Sequence, residues 1–198
     1  MASKLAYFDK KLFLWINEIV DRHPIVDYFI LLIGSDYLVP MSLTLVLVGL
    51  WFSNTNRIYR EQQQIYVFIA VIAMALSSLS VLIINSLYAR PRPFEILEEA
   101  TLIFYEPTDP SFPSNAAASV FAICLSIWPL SKKLSLLMII AGSLMVISRT
   151  AAGVHYPSDV IAGIIIATMI TFLVNYLSTF AKPILTAVIR LARIFCCA

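Results

Sequence analysis

Apolar residues gather in long blocks along this chain, separated by polar stretches, with no alternating pattern. Five runs stand out, at about 36–52, 65–87, 114–130, 134–149 and 159–180, divided by polar connections at 53–64, 88–113, 131–133 and 150–158. A spanning helix needs roughly 20 apolar residues, with a range of about 17 to 25, so the shorter runs must draw on their flanks. Helix is the expected form throughout, because unpaired backbone groups are not tolerated in lipid. Pro40 falls in the first turn of its run, where the missing N–H does no harm, and Pro129 and Pro183 sit near run ends as stop signals. The first 35 residues read differently. Leu5, Phe8, Leu12, Trp15, Ile16 and Ile19 recur at helical spacing with lysines opposite, the pattern of an amphipathic interfacial helix. The apolar segment 24–34 is too short to span alone, but joined to this helix it would make a sixth crossing.

The expected fold is therefore an all-α integral membrane bundle of five to six transmembrane helices with an N-terminal amphipathic helix. It forms one domain, with residues 1–35 as the N-terminal helices, 36–180 as the transmembrane core and 181–198 as a cytoplasmic tail. Composition strengthens this reading. The chain is 60% hydrophobic and 13% charged, with a mean hydropathy of +0.86, which excludes both a water-soluble domain and a disordered chain. A net charge of +2 gives no reason to expect a nucleic-acid partner. Three cysteines make no disulfide framework: Cys124 reads as packing, and Cys196 and Cys197 as interfacial thiols, with acylation as the alternative. The N-terminus is too charged, and its apolar stretch too short, for a cleavable signal peptide.

Charge also orients the bundle. Connections 53–64 and 131–133 and the C-terminal tail fall on one side and carry Arg57, Arg60, Lys132, Lys133, Lys182, Arg190 and Arg193. The positive-inside rule makes that side cytoplasmic and turns 88–113 and 150–158 outward, into periplasm or extracellular space. The bacterial cytoplasmic membrane is the expected location. On the outward side lie three polar clusters: Asn85, Arg90 and Arg92; Ser114 and Asn115; and Ser148, Arg149, His155 and Asp159. Arginine offers a planar fork that matches phosphate oxygens. Ser114 at a helix N-cap, preceded by Pro113, leaves free N–H groups at the positive end of a helix dipole. His155 and Asp159 are four apart and fall on one helix face if the helix has begun by then. An aspartate bonded to one ring nitrogen would free the other as a nucleophile or base. Each cluster alone has an ordinary reading, as interfacial anchor, cap or loop polar residue. Their convergence on one membrane surface points to a phosphate site. The acidic run Glu95, Glu98, Glu99, Glu106 and Asp109 reads as a solvated cap over it.

These residues resemble the type 2 phosphatidic acid phosphatase superfamily, whose signature is KxxxxxxRP, PSGH and SRxxxxxHxxxD. The third motif is complete in Ser148-Arg149, His155 and Asp159. The first keeps Arg92-Pro93 but has Asn85 at the lysine position. The second keeps Pro113-Ser114, followed by Asn115 and Ala116 in place of glycine and histidine. The resemblance implies a phosphatase that needs no metal or other cofactor. In it His155 would be the nucleophile on phosphorus and Asp159 its orienter. Arg92, Arg149, Ser148 and the backbone of Ser114, Asn115 and Ala116 would hold phosphoryl oxygens, and Asn85 would replace the lysine. The partners implied are a lipid phosphate or diphosphate and the surrounding membrane lipids; the oligomeric state is not legible.

Ala116 stands where the family's general acid would be. Three readings follow: an engineered histidine-to-alanine change that traps an inactive state, a natural variant acting on diphosphates, or a silent lipid-phosphate binder or transporter. A departing phosphate monoester has a pKa of about 6 and leaves unaided. An alkoxide, with a pKa of about 16, does not. The expected substrate is accordingly a polyprenyl diphosphate such as undecaprenyl pyrophosphate, with phosphatidylglycerophosphate or phosphatidic acid as the alternatives.

Overall fold

The computed structural model describes residues 2–194, so Cys196 and Cys197 lie outside the described residues. Eight helices follow in order: α1 (Ala2–Asn17), α2 (Pro24–Gly34), α3 (Leu38–Phe52), α4 (Arg57–Leu87), α5 (Pro93–Ile96), α6 (Asn115–Ser126), α7 (Lys132–Ala151) and α8 (Pro157–Ile194). All five apolar runs are helical, as α3, α4, α6, α7 and α8. Three of these, α4, α7 and α8, are long and apolar enough to cross a membrane; α2 and α3 pass together as one unit bent by 42°.

At its centre, α6 packs between α4 and α8, with α7 closing a third side. At 12 residues it is about 18 Å long, short of the ~30 Å hydrocarbon layer. Its short length is accommodated by burial: Ala117, Ala118, Ala122 and Cys124 are fully enclosed. A helix that is apolar all round belongs inside a bundle. Small residues set how closely its neighbours come. A Cβ on Gly163 of α8 would lie 2.5 Å from the Ser114 carbonyl oxygen and 2.9 Å from the Ala117 Cβ. A Cβ on Gly142 of α7 would lie 2.7 Å from Val120. Close backbone approach through small residues is the usual means of joining helices in lipid, where no hydrophobic force drives them together. Two of the three consecutive alanines are explained here: Ala117 and Ala118 are the contact surface for α8.

Two expectations need correcting. First, 24–34 does not join α1 into a sixth crossing. It forms α2, which breaks at Ser35 and Asp36 and leads into α3, while α1 and α2 both pack on the last turns of α7. The side chain of Asn17, at the end of α1, donates to the carbonyls of Ala151 (2.7 Å) and Thr101 (2.8 Å), which holds that end at the site end of the bundle. Second, Pro183 does not stop its helix, since α8 continues to Ile194. Proline interrupts one hydrogen bond, and membrane helices absorb that loss where neighbouring groups take up the freed carbonyl. Pro129 behaves as expected, lying in the turn between α6 and α7. The chain then runs back and forth as the runs implied. The beginnings of α3, α6 and α8 and the ends of α4 and α7 gather at one end, with segments 88–114 and 152–156 among them.

Candidate active site

A cavity of about 350 Å³ opens at this end, lined by Arg92, Arg149, His155, Asn115, Ala116 and Ser119, with Asp36, Tyr105 and Asp109 on its rim. Pro40, Val120 and Met145 make its apolar wall. Three sequence clusters therefore converge, each brought by a different element.

Ser114 caps α6, its hydroxyl accepting from the Ala117 N–H and its carbonyl from the Ala118 N–H. The Asn115 and Ala116 amides precede any intrahelical acceptor, so the first donors of the helix belong to residues that line the cavity. The Ser114 N–H donates to the Asp159 carbonyl at 3.1 Å, tying the start of α6 to the start of α8.

Arg92 is 2% exposed and held on three sides. Its Nε donates to the Asp109 carbonyl (2.8 Å), Nη1 to the Val154 carbonyl (3.0 Å) and Nη2 to the Asp109 carboxylate (2.9 Å). Asp109 is thus more than a solvated cap. Arg149, in the last turn of α7, donates through Nη1 to Asp36 at 2.6 Å and lies over the Phe104 ring at 5.2 Å. Its Nε is buried without an acceptor. A buried N–H without a partner is costly, so this guanidinium has a standing demand for one more anionic oxygen.

His155 lies in the connection just before α8 and is 4% exposed. Nδ1 is 3.1 Å from the Ser111 carbonyl. A carbonyl only accepts, so Nδ1 carries the proton and Nε2 keeps its lone pair. Burial, then the charges of Arg92 and Arg149, hold the imidazole well below its usual pKa, against the opposing Ser111 bond. The ring is neutral at pH 7.

The geometry revises the part assigned to Asp159. Its Oδ2 is 4.0 Å from His155 Nδ1, beyond hydrogen-bond range. The two residues are four apart, but α8 begins at Pro157, so His155 is not on the helix face that the spacing assumed. Asp159 is fully buried and instead accepts from the Ser111 hydroxyl, the Tyr156 N–H (2.9 Å) and Arg90 Nη1 (2.6 Å). It reaches the ring through Ser111, whose hydroxyl meets Asp159 and whose carbonyl meets His155.

Three other expected residues do not line the cavity: Ser114 is buried behind it as the cap of α6, and Ser148 and Asn85 face elsewhere. Ser148 adjoins Arg149, but about 100° of helix turn separates them, and it faces the groove between α1, α2 and α7. Asn85 is buried near the end of α4 with its Oδ1 unpaired, outside the cavity wall. Sequence reasoning missed Asp36, Tyr105 and Ser111, and gave Arg90 no individual role. Asp36 had a signal: an acid set between the apolar segments 24–34 and 38–52. Ser111 had none.

The PAP2 superfamily profile matches residues 66–183, well over half of the chain. This protein belongs to the PAP2 superfamily. It is 28% identical over 182 residues to the undecaprenyl-diphosphatase BcrC of Bacillus subtilis, covering 91% of this chain and 90% of that one. An undecaprenyl-diphosphatase of Sulfolobus acidocaldarius is 36% identical over 104 residues, 52% of this chain and 48% of that one. The crystal structure of Aquifex aeolicus LpxE superposes with a TM-score of 0.67 at 27% identity, covering 84% of this chain and 93% of that one. The resemblance drawn from the three motifs is thereby confirmed, and with it a lipid phosphatase family and a membrane-spanning, all-helical fold.

Proposed function

We propose that this protein is a lipid diphosphatase that hydrolyses a polyprenyl diphosphate of the undecaprenyl pyrophosphate kind, at a site facing the periplasm or cell exterior. The observation that carries the reading is the neutral His155, with Nε2 free, in a cavity lined by Arg92, Arg149, the first amides of α6 and the methyl of Ala116. The terminal phosphoryl oxygens would take the arginines and the α6 amides. Nε2 attacks the terminal phosphorus, and the anhydride P–O bond breaks with its electron pair on the leaving polyprenyl monophosphate. Water then attacks the phosphohistidine, releasing inorganic phosphate and restoring the ring.

Ala116 selects among substrates. Without a proton donor at that position, a leaving group that departs as a phosphate of pKa about 6 is favoured over an alkoxide. General acid catalysis is typically worth about 10²- to 10⁴-fold. The decisive experiment measures inorganic phosphate released from a polyprenyl diphosphate and from phosphatidic acid in detergent. The protein as it stands should act on the diphosphate. Ala116→His should raise phosphatidic acid turnover by about 10²- to 10⁴-fold and diphosphate turnover far less. Absence of release by either form, on either substrate, would reject the enzyme reading in favour of a lipid-phosphate binder. The sidedness rests on the basic residues gathered at the opposite end, Arg57, Arg60, Lys132, Lys133 and Lys182.

A further inference from the structure

We infer that Asp9, on the N-terminal surface helix, is a positioning residue for the His155 nucleophile, acting through Arg90, Asp159 and Ser111. The inference rests on the phosphotransfer reading above and concerns a residue outside the 66–183 stretch that defines the family.

α1 turns Tyr7, Phe8 and Trp15 outward, all more than 60% exposed, and turns Asp9 inward, with its side chain only 9% exposed. Asp9 Oδ1 accepts from the backbone N–H of Ser158 at 2.9 Å, and Oδ2 accepts from the Ser158 hydroxyl. Ser158 is the second residue of α8, so its amide has no acceptor within its own helix. Asp9 therefore caps α8 from another helix and places a carboxylate at the positive end of its dipole.

The same carboxylate holds Arg90. Asp9 Oδ2 accepts from Arg90 Nη2 at 2.8 Å, while Nη1 of that guanidinium donates to Asp159 at 2.6 Å and to the Ser158 hydroxyl at 2.7 Å. The Arg90 guanidinium lies 4.0 Å from the centre of the Tyr156 ring, which Phe13 of α1 meets at 5.5 Å. Burial alone would lower the Arg90 pKa; the carboxylates of Asp9 and Asp159 outweigh it and hold it raised. The backbone carbonyl of Arg90 also accepts from the Ser111 N–H at 2.8 Å. Ser111 is thus located twice by Arg90, through its own amide and through Asp159, and its carbonyl is the acceptor that fixes the His155 ring.

Charge gives the arrangement a second effect. When phosphorus bonds Nε2 and the proton stays on Nδ1, the ring becomes cationic. Asp9, Arg90 and Asp159 together carry one negative charge, which favours that cation. Asp9→Asn leaves the group neutral and loosens the guanidinium that locates Ser111. Its effect should fall on the phosphoryl-transfer step and leave lipid binding intact.

The test uses full-length protein in detergent, with phosphate release from polyprenyl diphosphate and ¹⁵N-histidine NMR read on the same samples. The chain has two histidines, and His23, at the start of α2, serves as internal reference. Asp9→Asn should lower kcat by about 10- to 100-fold, the span seen when a partner that orients a metal-bound ligand is removed, with KM within about twofold. Asp9→Glu should restore most of kcat. The ring signals of His155 should report a single Nδ1–H tautomer in the unaltered protein and change in Asp9→Asn, while those of His23 stay put. Unchanged kcat and unchanged His155 signals in folded Asp9→Asn would overturn the inference, as would a fall in kcat that Asp9→Glu does not repair. If Asp9→Asn does not fold, Ser158→Ala, which removes one hydroxyl from the same junction, is read by the same criteria. The ring signals need no turnover, so they decide the point even if the diphosphatase reading fails.

Discussion

The stretch from α4 to α8 and the segment before it contribute unequally to one site: the later stretch supplies Arg90, Arg92 and Arg149 together with Asp109 and Asp159, and the earlier one adds only carboxylates to these arginines. The later stretch supplies Arg92, Arg149, the first amides of α6 and His155, which line the cavity and, on the reading proposed above, would bind a phosphate and attack it. The N-terminal segment supplies carboxylates: Asp36, in the break between α2 and α3, on Arg149, and Asp9 of α1 on Arg90. Packing differs in the same way. Around α6 the contacts are backbone-close and built on glycine and alanine, while α3 leaves open space beside Gly49. The core holds the arginines in a tightly packed frame and neutralises them in part with its own Asp109 and Asp159; the carboxylates of Asp36 and Asp9 add to that from the periphery. The comparison teaches that a signature-bearing core need not be a complete site.

The strongest way to break this division is to remove the proposed nucleophile from the core. His155→Ala should abolish phosphate release from polyprenyl diphosphate, by more than about 10⁴-fold, as when one member of a catalytic unit is deleted. Colorimetric phosphate assay on purified protein reads it. Residual turnover within tenfold of the starting protein would mean the attacking group lies elsewhere.

Glycines sharpen the comparison next. Gly163→Ala places a methyl within 2.5 Å of the Ser114 carbonyl oxygen, and backbone on that side has no room to yield. Overpacking of this kind typically costs about 1–3 kcal/mol. Thermal unfolding in detergent should show that loss, together with a raised KM, because the displaced residues begin the helix proposed to receive phosphate. The matched change Gly49→Ala in α3 meets nothing within 4 Å. It should be neutral or stabilising by up to about 1 kcal/mol, through the lower chain entropy of the unfolded state. Equal effects at the two positions would dissolve the contrast between core and periphery.

How far the sequence alone reveals this molecule follows the same line. The five apolar runs, the Ser114 cap and the gathering of three motifs at one end were legible, because membrane thickness and helix-cap chemistry act locally. Which motif residues face the cavity was not. Ser148 and Arg149 adjoin in sequence, and only the rotation of α7 against its neighbours separates their faces. The tie between His155 and Asp159 was expected only if the helix had begun by His155; α8 begins at Pro157, and the carboxylate stands 4.0 Å from Nδ1. Ser111, Asp9 and Asp36 depend on contacts spanning 44 to 149 positions, which no local pattern encodes.

Asp36 allows a gentler intervention from the periphery. Its carboxylate takes an Arg149 N–H at 2.6 Å and the Tyr105 hydroxyl at 2.7 Å, beside the buried Nε that has no acceptor. A phosphate reaching Arg149 must compete with this internal anion. Asp36→Asn should therefore tighten inhibition by inorganic phosphate by about tenfold, equivalent to ~1.4 kcal/mol. The same variant should be less stable without ligand and regain that stability when phosphate is added. Weaker phosphate binding in Asp36→Asn would show that the carboxylate holds Arg149 in place for the ligand and does not compete with it.

The mildest effect concerns pH and separates the buried ring from the exposed surface around it. His155 is held below the ordinary histidine value of 6.5 by burial and by Arg92 and Arg149, with Asp159 4.0 Å from Nδ1 on its other side. Above pH 6.5 the ring is neutral in both folded and unfolded chains, and its contribution to stability does not vary. As pH falls below 6.5 the unfolded chain gains a proton that the folded chain refuses, so stability declines until the depressed folded value is reached. His155→Gln should remove that decline and flatten the unfolding midpoint between pH 6.5 and 5. The acid limb of kcat/KM should correspondingly fall below pH 6.5, because the free enzyme keeps its nucleophile unprotonated. A limb centred at or above 6.5 would place the ring in contact with water, and the neutral, enclosed nucleophile on which the site depends would have to be given up.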